Sequence, residues 1–529
     1  MTPTKEMLLR RYGPLAAILA IYAVLLAIFP LQIQVMESYA YAAGVEGYYN
    51  LSQTFALAQP GKNLPDISLY HPNHPLGHLL PAVLHRAYGF DAMALFRLRN
   101  GISALVFLAF FFMAAMRLVG HRAAVITATL CVMFTYVFWG AALSGETQIP
   151  ALALLMATTY FLLRFFEPET GGRVKQLMVA AVCYVFAGGS HLSSIMFSLP
   201  AGLAALVYSH RRWQWKLYAV AVAVIIGGYG LFYGLLFVRL LHIDSLEMYL
   251  RTFFIYDPIL QRQYSTADWW LETGYSLLRA LSYSDSVWGG AARISGVTVI
   301  VMGYIALWRS RAVPAVKFLL IAWPVSQLVV QVAVKGRPDG VNFWLFLLPP
   351  FFLAAAFGLR SIIVLSRGYF FLPVIVAVFA ASNFFSAILP NSSLNKSEFI
   401  YLEKHPEYAR NPPLAVVVSQ PVLTFAEIWW AGSRLGLRQQ EIFFPCCGET
   451  DAAARLANWA AARGEFLLMS DEAGPGLGSK VAADDKLHCR LLQNSSGEFS
   501  AALIPVTVHA DFPAGRSLRK QLRIYHCVR

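Results

Sequence analysis

Charged residues are scarce in this chain of 529 residues: they make up 13% of it, whereas hydrophobic residues make up 57%. An ordinary soluble domain has about 25% charged and about 45–50% apolar residues. The shortage of charge excludes a soluble globular enzyme and a disordered protein, and it predicts a membrane protein. The net charge of +13 does not indicate nucleic-acid binding, because the basic residues lie in short loops between apolar runs.

Cysteines are also few, and six are not enough for a disulfide scaffold. Cys131 and Cys183 lie inside apolar runs, where cysteine behaves as a small hydrophobic residue. The others lie in the polar C-terminal region, at Cys446, Cys447, Cys489 and Cys527. Disulfides form in that region only if it lies outside the cytoplasm, and which of these cysteines pair stays open.

Long apolar runs dominate the rest of the chain, and about twenty apolar residues span the hydrocarbon core as a helix. The eleven runs lie at about residues 13–36, 98–118, 123–143, 147–166, 174–189, 190–208, 215–241, 291–309, 315–334, 341–359 and 369–390. The fifth and sixth are short and share the break AGGSHLSS. The first run could also be a secretory signal, but it is too long for the apolar core of one, so we predict a retained span.

Lysine and arginine gather in alternate loops, which sets the expected orientation in the membrane. The pattern places the N-terminus in the cytoplasm and, after an odd number of spans, the C-terminal region outside. We predict an α-helical polytopic protein of the plasma (inner) membrane of a bacterial cell envelope. About eleven transmembrane helices occupy residues 1–390, and a small extracytoplasmic α/β domain occupies residues 391–529, where short apolar strands alternate with helix-like segments.

Two outer loops of the membrane domain are long enough to be structured. The loop at 37–97 contains two amphipathic pieces, near 47–58 and 76–88. The loop at 242–290 is rich in aromatic residues, which favour the boundary between membrane and water. We therefore expect this second loop to lie on the bilayer as interfacial helices.

Acidic residues of the membrane domain lie mainly in the predicted outer segments, and two of them directly adjoin a span. Glu37 follows the first run, and Glu146 lies in the short turn between the third and fourth runs. A carboxylate beside hydrocarbon is costly and therefore marks a candidate functional site. The alternative is that each one caps a helix N-terminus or pairs with a nearby arginine.

Histidines cluster in the first outer loop, in the segment LYHPNHPLGHLLPAVLH. His74 and His78 are four residues apart at a predicted helix start, which would place them on one helical face. They could form a metal pair, but no third ligand is near and no HExxH motif is present. We favour a loop in which these histidines, with His71, present N–H donors to a polar headgroup. His191, in the break GGSHLSS, is a candidate for the same cavity or a structural histidine.

The last short outer loop, KGRPDGVNFWLFLLPPFF, carries Lys335 and Arg337 at the predicted membrane boundary. Cations in this position attract phosphate through charge and hydrogen bonds, although they could also be simple interfacial anchors. Outward-facing carboxylates, histidines and two cations together predict transfer of a group from a lipid-linked phosphate. A carboxylate would accept the proton of an attacking hydroxyl, and the cations would stabilise the departing phosphate.

The order of these motifs resembles the GT-C glycosyltransferases, polytopic enzymes that use polyprenyl-phosphate-linked sugars and include protein O-mannosyltransferases and the aminoarabinose transferase of lipid A. The matching motifs are MESYAYA, YHPNHPLGHLL, SGETQIPALALL, GGSHLSS and KGRPDGVNFWLFLLPP, over residues 13–360. The resemblance implies an inverting transfer of a sugar to an acceptor hydroxyl on a glycan, a lipid or a protein. It gives Glu37 the place of the catalytic base and Glu146 that of the second outer acid.

The resemblance also assigns substrate-binding residues. His71, Asn73 and His74 take the place of a loop segment that faces the acceptor or the phosphate. Lys335 and Arg337 take the place of the lipid-phosphate contact. No cofactor is required by the resemblance, but some enzymes of this kind depend on a divalent metal such as Mg²⁺ or Mn²⁺, so a metal site stays open.

The main alternative from another functional class is a transporter or flippase of a lipid-linked or anionic solute. Transporters often contain inverted repeats and broken helices at the middle of the membrane. In this sequence the candidate charges gather at one predicted face, and the two halves of the chain do not match. The sequence therefore favours the glycosyltransferase.

Overall fold

The described part of the chain is mostly helical, with one small sheet. The structure is a computed structural model that describes residues 5–29, 75–89, 92–143, 147–167, 173–209, 215–236, 274–275, 277–282, 286–333, 341–366, 368–389, 414–417, 442–443, 452–471, 487–499 and 518–528. These residues belong to two compact units: one contains the apolar helices and the other contains the sheet.

The helical unit alternates long apolar helices with short turns. Among the described residues it begins with α1 (Lys5–Ile28), α2 (Pro75–Tyr88), α3 (Ala92–Val119), α4 (Arg122–Met133), α5 (Tyr136–Leu143) and α6 (Gln148–Phe166). It continues with α7 (Arg173–Ser190), the 3₁₀ turn Leu192–Phe197, α8 (Ser198–Ser209), α9 (Trp215–Tyr229) and the π-helical segment Gly230–Leu236. It ends with α10 (Val287–Arg309), α11 (Pro314–Ala333), the 3₁₀ turn Val341–Leu347, α12 (Leu348–Ser366), α13 (Phe371–Phe379) and the π-helical segment Ala380–Ile388.

Local chemistry explains where several of these helices begin and end. The side chains of His121 and Ser286 accept hydrogen bonds from backbone N–H groups in the first turns of α4 and α10. Gly89 and Gly120 follow α2 and α3 with φ angles of +68° and +66°, which a residue without Cβ adopts at no steric cost. The sequence therefore encodes these helix boundaries locally.

The span made of α4 and α5 is bent by 60° between Met133 and Tyr136. At this break the Thr135 hydroxyl donates a hydrogen bond to the Val132 carbonyl, and the Thr135 carbonyl accepts from Trp139 N–H at 3.1 Å. Thr135 thus ends one helical segment and starts the next. The sequence run at 123–143 did not reveal this break.

Each of the eleven predicted runs overlaps a helical segment, but the number of spans stays a prediction. Five helices are long and apolar enough to cross a membrane, and the bent pair α4–α5 makes a sixth. The other apolar helices among the described residues have shorter apolar stretches, of 10–17 residues each. The chain is thus a multi-pass membrane protein by the length and composition of its helices.

Contacts between helices define two ends of this unit. We call the end at which α3 and α6 begin the upper end, and the end at which they finish the lower end. At the lower end, Arg117 pairs with Glu167 through two hydrogen bonds. There the Arg360 side chain also donates to the carbonyl of Val119 at 2.7 Å. The candidate site lies at the upper end, described below.

The helices α10 and α12 approach so closely that their backbones touch. A Cβ atom on Gly303 would collide with the Ala354 carbonyl, and one on Gly358 would collide with the Val299 carbonyl. Small residues at such crossings let membrane helices pack closely by van der Waals contact.

The second unit contains a five-stranded mixed sheet: β1 (Leu414–Val417), β2 (Ile442–Phe443), β3 (Glu465–Asp471), β4 (His488–Phe499) and β5 (Leu518–Val528). The strand order is β2-β1-β3-β5-β4; β1 pairs in parallel with β2 and β3, and the other pairs are antiparallel. Helix α14 (Ala452–Ala461) shares a buried core with the sheet. Cys489 and Cys527 face each other across β4 and β5 and form a disulfide, whereas Cys446 and Cys447 lie outside the described residues.

The predicted interfacial loop at 242–290 is described only from residue 274 onward. Residues 274–275 and 277–281 are helical, as predicted, but Arg279, Ala280 and Leu281 are buried. Asn383 donates to the Leu281 carbonyl at 3.1 Å, and Arg293 donates to the Ser282 carbonyl at 3.0 Å. The described part of this loop therefore packs into the helical unit, because its backbone finds partners there. The position of the loop on the bilayer stays a prediction.

Candidate active site

Only one of the predicted site residues, His191, falls within the part of the chain that the structure describes. The others lie outside the described residues: Glu37, Glu146, His71, Asn73, His74, Lys335 and Arg337. Their flanking elements are described, however. Helix α2 begins directly after His74, α6 begins two residues after Glu146, and a 3₁₀ turn begins four residues after Arg337.

These flanking elements meet at the upper end. Helices α5 and α6 both contact the 3₁₀ turn Val341–Leu347, and α6 also contacts the 3₁₀ turn Leu192–Phe197. Helix α2 packs against the end of α7. There the Leu76 side chain lies so close to Gly189 that a Cβ atom added to Gly189 would be 2.7 Å from Leu76 Cδ1. Four motifs that are far apart in the sequence are thus flanked by elements that are neighbours in space.

His191 lies at the centre of this arrangement, between α7 and the 3₁₀ turn that follows it. It is 5% exposed, and its backbone is extended, with φ −159° and ψ 124°. The ring Nδ1 accepts a hydrogen bond from Ser193 N–H at 3.1 Å, so His191 caps the 3₁₀ turn. Because Nδ1 accepts, the neutral ring carries its proton on Nε2 and presents an N–H donor there. The ring also packs 5.6 Å from that of Phe346, in the turn Val341–Leu347.

A chain of hydrogen bonds links α2 to α5 through two residues of α3. The Arg99 guanidinium donates to the Gly77 carbonyl in the first turn of α2 and to the Asn100 side-chain oxygen at 2.9 Å. The Asn100 amide then donates to the Ala141 carbonyl near the end of α5 at 3.2 Å. Arg99 and Asn100 therefore hold together the two elements that lead to the HPNH segment and to the SGE turn.

A buried cation lies in the helical residues that precede α10. Arg279 is 1% exposed, and its guanidinium lies 5.0 Å from the centre of the Tyr275 ring. A second guanidinium, that of Arg293, lies 5.4 Å from the same ring. Two guanidinium groups thus lie around one aromatic ring, an arrangement that favours cation–π contact.

Several buried polar groups at the upper half lack a hydrogen-bond partner. Among the described residues these include the hydroxyl of Tyr22, the indole N–H of Trp139 and both amide atoms of Gln148. Tyr22 and Trp139 are packed edge to face with ring centres 5.2 Å apart, and both are 0% exposed. Buried polar groups are normally paired, so each exception calls for an explanation.

The described residues do not include a cluster of three or more His, Cys, Asp or Glu side chains that could hold a metal ion. The proposed pair of His74 and His78 is not tested, because His74 and the side chain of His78 lie outside what the structure describes. A divalent metal therefore stays a prediction of the sequence, without further support.

Sequence reasoning missed four residues at the upper end: Arg99, Asn100, Gln148 and Arg279. The first three are polar residues within an apolar run, and that is the signal that could have found them, whereas Arg279 lies in the loop at 242–290. Arg99 and Asn100 open the second run and were passed over because polar residues at a span end often anchor it in the interface. Their partners, Gly77 and Ala141, are 22 and 41 residues away, a pairing that spacing alone does not reveal.

No protein-family model and no curated protein matches the sequence. Solved structures do match it in fold. ArnT from Cupriavidus metallidurans, an aminoarabinose transferase, matches in its apo state with a TM-score of 0.57 and 14% identity, over 96% of this chain and 98% of ArnT. ArnT bound to undecaprenyl phosphate matches with the same TM-score, 13% identity, and 95% and 97% coverage.

A second protein matches more distantly. The archaeal oligosaccharyltransferase AglB from Archaeoglobus fulgidus, in complex with an inhibitory peptide and a dolichol-phosphate, gives a TM-score of 0.52 and 12% identity. The match covers 88% of this chain and 70% of AglB. ArnT and AglB are both GT-C enzymes, and the match to ArnT spans nearly the whole of both chains. The chain therefore has the GT-C fold, as the order of its sequence motifs predicted.

Proposed function

We propose that this protein is a membrane glycosyltransferase that moves a sugar from a polyprenyl-phosphate-linked donor to an acceptor hydroxyl. The observation that carries the proposal is the likeness in fold to ArnT over nearly the full length of both chains. ArnT has been seen bound to undecaprenyl phosphate and AglB in complex with dolichol-phosphate, which supports a polyprenyl phosphate as the carrier here.

The geometry of the upper end is consistent with this proposal. Elements that flank the HPNH, SGE and KGRPDG motifs and the residue His191 are neighbours there. A site that binds a phosphate and a sugar needs cations and hydrogen-bonding groups in a largely dry environment. The buried Arg279 and the buried polar groups of Gln148, Trp139 and Tyr22 supply both kinds of group.

We assign the chemical step to Glu37. Its carboxylate accepts the proton of the acceptor hydroxyl while the oxygen attacks the anomeric carbon of the donor. A new bond forms between that oxygen and carbon, and the bond from the carbon to the phosphate oxygen breaks on the opposite side. The anomeric configuration inverts, and polyprenyl phosphate leaves. Glu146, as the second acid, orients the acceptor.

Positive charge then stabilises the leaving phosphate. We assign this task to Lys335 and Arg337, with the buried Arg279 as a further cation at the same end of the unit. Because a phosphate stabilised in this way is a good leaving group, the reaction does not need a general acid. His71, Asn73, His74 and His191 bind the substrates. The reaction takes place on the extracytoplasmic face of the plasma membrane, where the alternating basic loops place the upper end.

Mass spectrometry of glycans, lipids and proteins from cells with and without the gene tests the function directly. We expect one glycan, lipid or protein species to lose a single hexose or pentose in the deletion strain. That mass difference would identify acceptor and sugar together. A solute that crosses liposomes containing the purified protein, without any covalent product, would instead support the transporter.

The substitution Glu37→Gln tests the catalytic base. It keeps the shape of the side chain and removes its charge, so we expect product formation to fall to near background with normal expression and membrane insertion. Glu46→Gln, in the same predicted loop, is the matched control and is expected to retain activity. Near-wild-type activity of Glu37→Gln in a transfer assay with radiolabelled donor would refute the assignment.

A further inference from the structure

The side chain of Gln148 is the least satisfied polar group at the upper end. Gln148 is the first residue of α6 and is 1% exposed. Neither its amide oxygen nor its amide nitrogen has a hydrogen-bond partner in the structure. The preceding residue, Thr147, is also buried, and its side chain makes no capping bond to the helix.

A buried amide in this state is costly for the free protein. Both its donor and its acceptor have lost water without gaining a partner, and the penalty is larger in a protein interior than at a surface. An apolar side chain of the same size would avoid this cost. The presence of glutamine therefore indicates a partner that is absent from the free protein.

The position of Gln148 identifies the kind of partner. It follows the candidate acid Glu146 by two residues, and it belongs to the helix that contacts the 3₁₀ turns Leu192–Phe197 and Val341–Leu347. A carboxamide accepts one hydrogen bond through its oxygen and donates through its nitrogen, which matches a hydroxyl group and a neighbouring oxygen of a sugar ring. A phosphate would use only the donor half of the amide and would leave the oxygen unpaired.

We propose that Gln148 binds a hydroxyl group of a sugar ring and thereby determines which sugar the protein accepts. This inference rests on the proposed glycosyltransferase function. Gln148 is closed off from solvent in the free protein, so binding of the sugar must expose its amide. A sugar that lacks this hydroxyl would leave the Gln148 amide unpaired. The free-energy penalty of the unpaired amide would therefore reject that sugar.

The variant Gln148→Met tests the proposal, because methionine has nearly the same length and volume without hydrogen-bonding atoms. Gln176→Met is the matched control. Gln176 lies in the first turn of α7 at the lower end, is 9% exposed, and has an amide oxygen that is also unpaired. Both variants are expected to have thermal midpoints equal to or above that of the wild type in detergent.

The functional experiment uses undecaprenyl-phosphate donors that carry mannose, glucose, galactose or 4-amino-4-deoxyarabinose, followed by monodeoxy versions of the sugar that is transferred. For the wild type we expect one deoxy donor to lose at least about tenfold in kcat/KM. For Gln148→Met we expect kcat/KM for the parent donor to fall by a similar factor. We expect kcat/KM for that deoxy donor to be the same in Gln148→Met as in the wild type. Gln176→Met is expected to behave as the wild type.

Two arms distinguish the two possible sources of the sugar. If Gln148 binds the transferred sugar, the substitution and the missing hydroxyl are expected to have non-additive effects on donor binding measured without acceptor. If Gln148 binds a sugar of the acceptor instead, the same non-additive effect is expected with a series of deoxy acceptors. Either result supports the inference. Unchanged parent-to-deoxy ratios in Gln148→Met, in both arms, would overturn it while leaving the proposed function intact. Failure of the wild type to bind or transfer any of the glycosyl donors would overturn both.

Discussion

His191 has a structural task that the structure shows and, in the proposed function, a chemical one. Its Nδ1 caps the 3₁₀ turn Leu192–Phe197 by accepting from Ser193 N–H, while its Nε2 carries the proton of the neutral ring. The cap fixes the orientation of the ring beside Phe346. A histidine held in this way is a preorganised N–H donor, because the ring does not have to turn when a substrate binds.

The substitution His191→Asn separates these two tasks. The asparagine oxygen lies where Nδ1 lies and can keep the cap, but nothing replaces the Nε2 donor. We expect a thermal midpoint close to that of the wild type and a loss of at least about tenfold in transfer rate. His191→Ala removes both functions and should also lower stability by about 1 kcal/mol through the lost cap. Full activity of His191→Asn would mean that the ring serves only as a cap.

The pair Arg99–Asn100 acts at the scale of elements, because it connects three helices. Arg99 holds the first turn of α2, and Asn100 holds the end of α5. Both contacts are made to backbone carbonyls, so they fix the course of the chain and not the rotamer of a single side chain. The spacing between the HPNH segment and the SGE turn is expected to depend on them.

The substitution Arg99→Met tests this dependence. It keeps most of the apolar contact of the side chain over the Phe96 ring and removes the bonds to Gly77 and Asn100. We expect kcat to fall by about 10²-fold because a shift of about 1 Å at a reacting group has this effect, with little change in KM for the lipid donor. Rescue by a lysine at the same position is expected to be poor, since lysine has a single nitrogen in place of the two guanidinium nitrogens that make these bonds.

The matched control is Arg117→Met, in the same helix but at the lower end. That variant breaks the ion pair with Glu167 and should lower the thermal midpoint without changing kcat. Equal losses of kcat in the two variants would show that Arg99 acts through general stability alone.

The contact between α10 and α12 sets how closely two helices of the bundle can approach. Gly303→Ala would place a methyl group where the Ala354 carbonyl now lies. The helices would have to separate, which typically costs about 1–3 kcal/mol or more. We expect a clearly lower thermal midpoint in detergent. Gly290→Ala in the same helix has open space around it and is expected to leave stability unchanged or slightly raised.

A thermal midpoint of Gly303→Ala equal to that of Gly290→Ala would contradict this description of the crossing. Measured side by side by scanning fluorimetry, the two variants differ only in what surrounds the added methyl group. Helix propensity favours alanine over glycine in both, so it cannot explain a difference between them.

The sequence predicted the positions of the secondary-structure elements better than the contacts between them. Each apolar run overlaps a helical segment because a span must be apolar in the hydrocarbon core. The proline after His74 correctly located the start of α2. The break at Thr135 was not foreseen because threonine is common in straight helices, and only packing decides where one bends. Strands β4 and β5 were missed because their sequences, HCRLLQNSSGEF and LRKQLRIYHCV, are too polar to stand out.

The candidate site shows the same limit. His191 was found because a histidine flanked by small residues between two apolar runs is unusual. Asn100 and Gln148 were not found, because a single polar residue in an apolar run has the same appearance whether it binds a backbone carbonyl or lacks any partner. The difference between those two cases exists only in three dimensions.

At the scale of the whole molecule, the two units impose a shared requirement on the compartment. The sheet contains the disulfide Cys489–Cys527, which persists only in an oxidising environment. The alternating basic loops predict the same location, outside the cytoplasm. Two independent properties of the chain, one covalent and one electrostatic, therefore favour the same orientation.

Fusion of a reporter after residue 529 tests this orientation. Alkaline phosphatase, which needs an oxidising compartment, is expected to be active, and a green fluorescent protein fused at the same place is expected to be dark. Peptide mapping without reductant should recover Cys489 linked to Cys527. A fluorescent fusion together with a fully reduced pair of cysteines would contradict the orientation.

The 60° bend between α4 and α5 has a consequence for depth in the bilayer. Twelve residues of α4 rise about 18 Å, and the eight residues of α5 would add about 12 Å if the span were straight. Because α5 is tilted by 60° from α4, its eight residues add only about 6 Å along the axis of α4. Leu143, the last residue of α5, is thereby carried about 6 Å less far than a straight span would carry it. For the proposed glycosyltransferase, we therefore expect an acceptor that partitions into the lipid headgroup layer to be used better than one that stays dissolved in water.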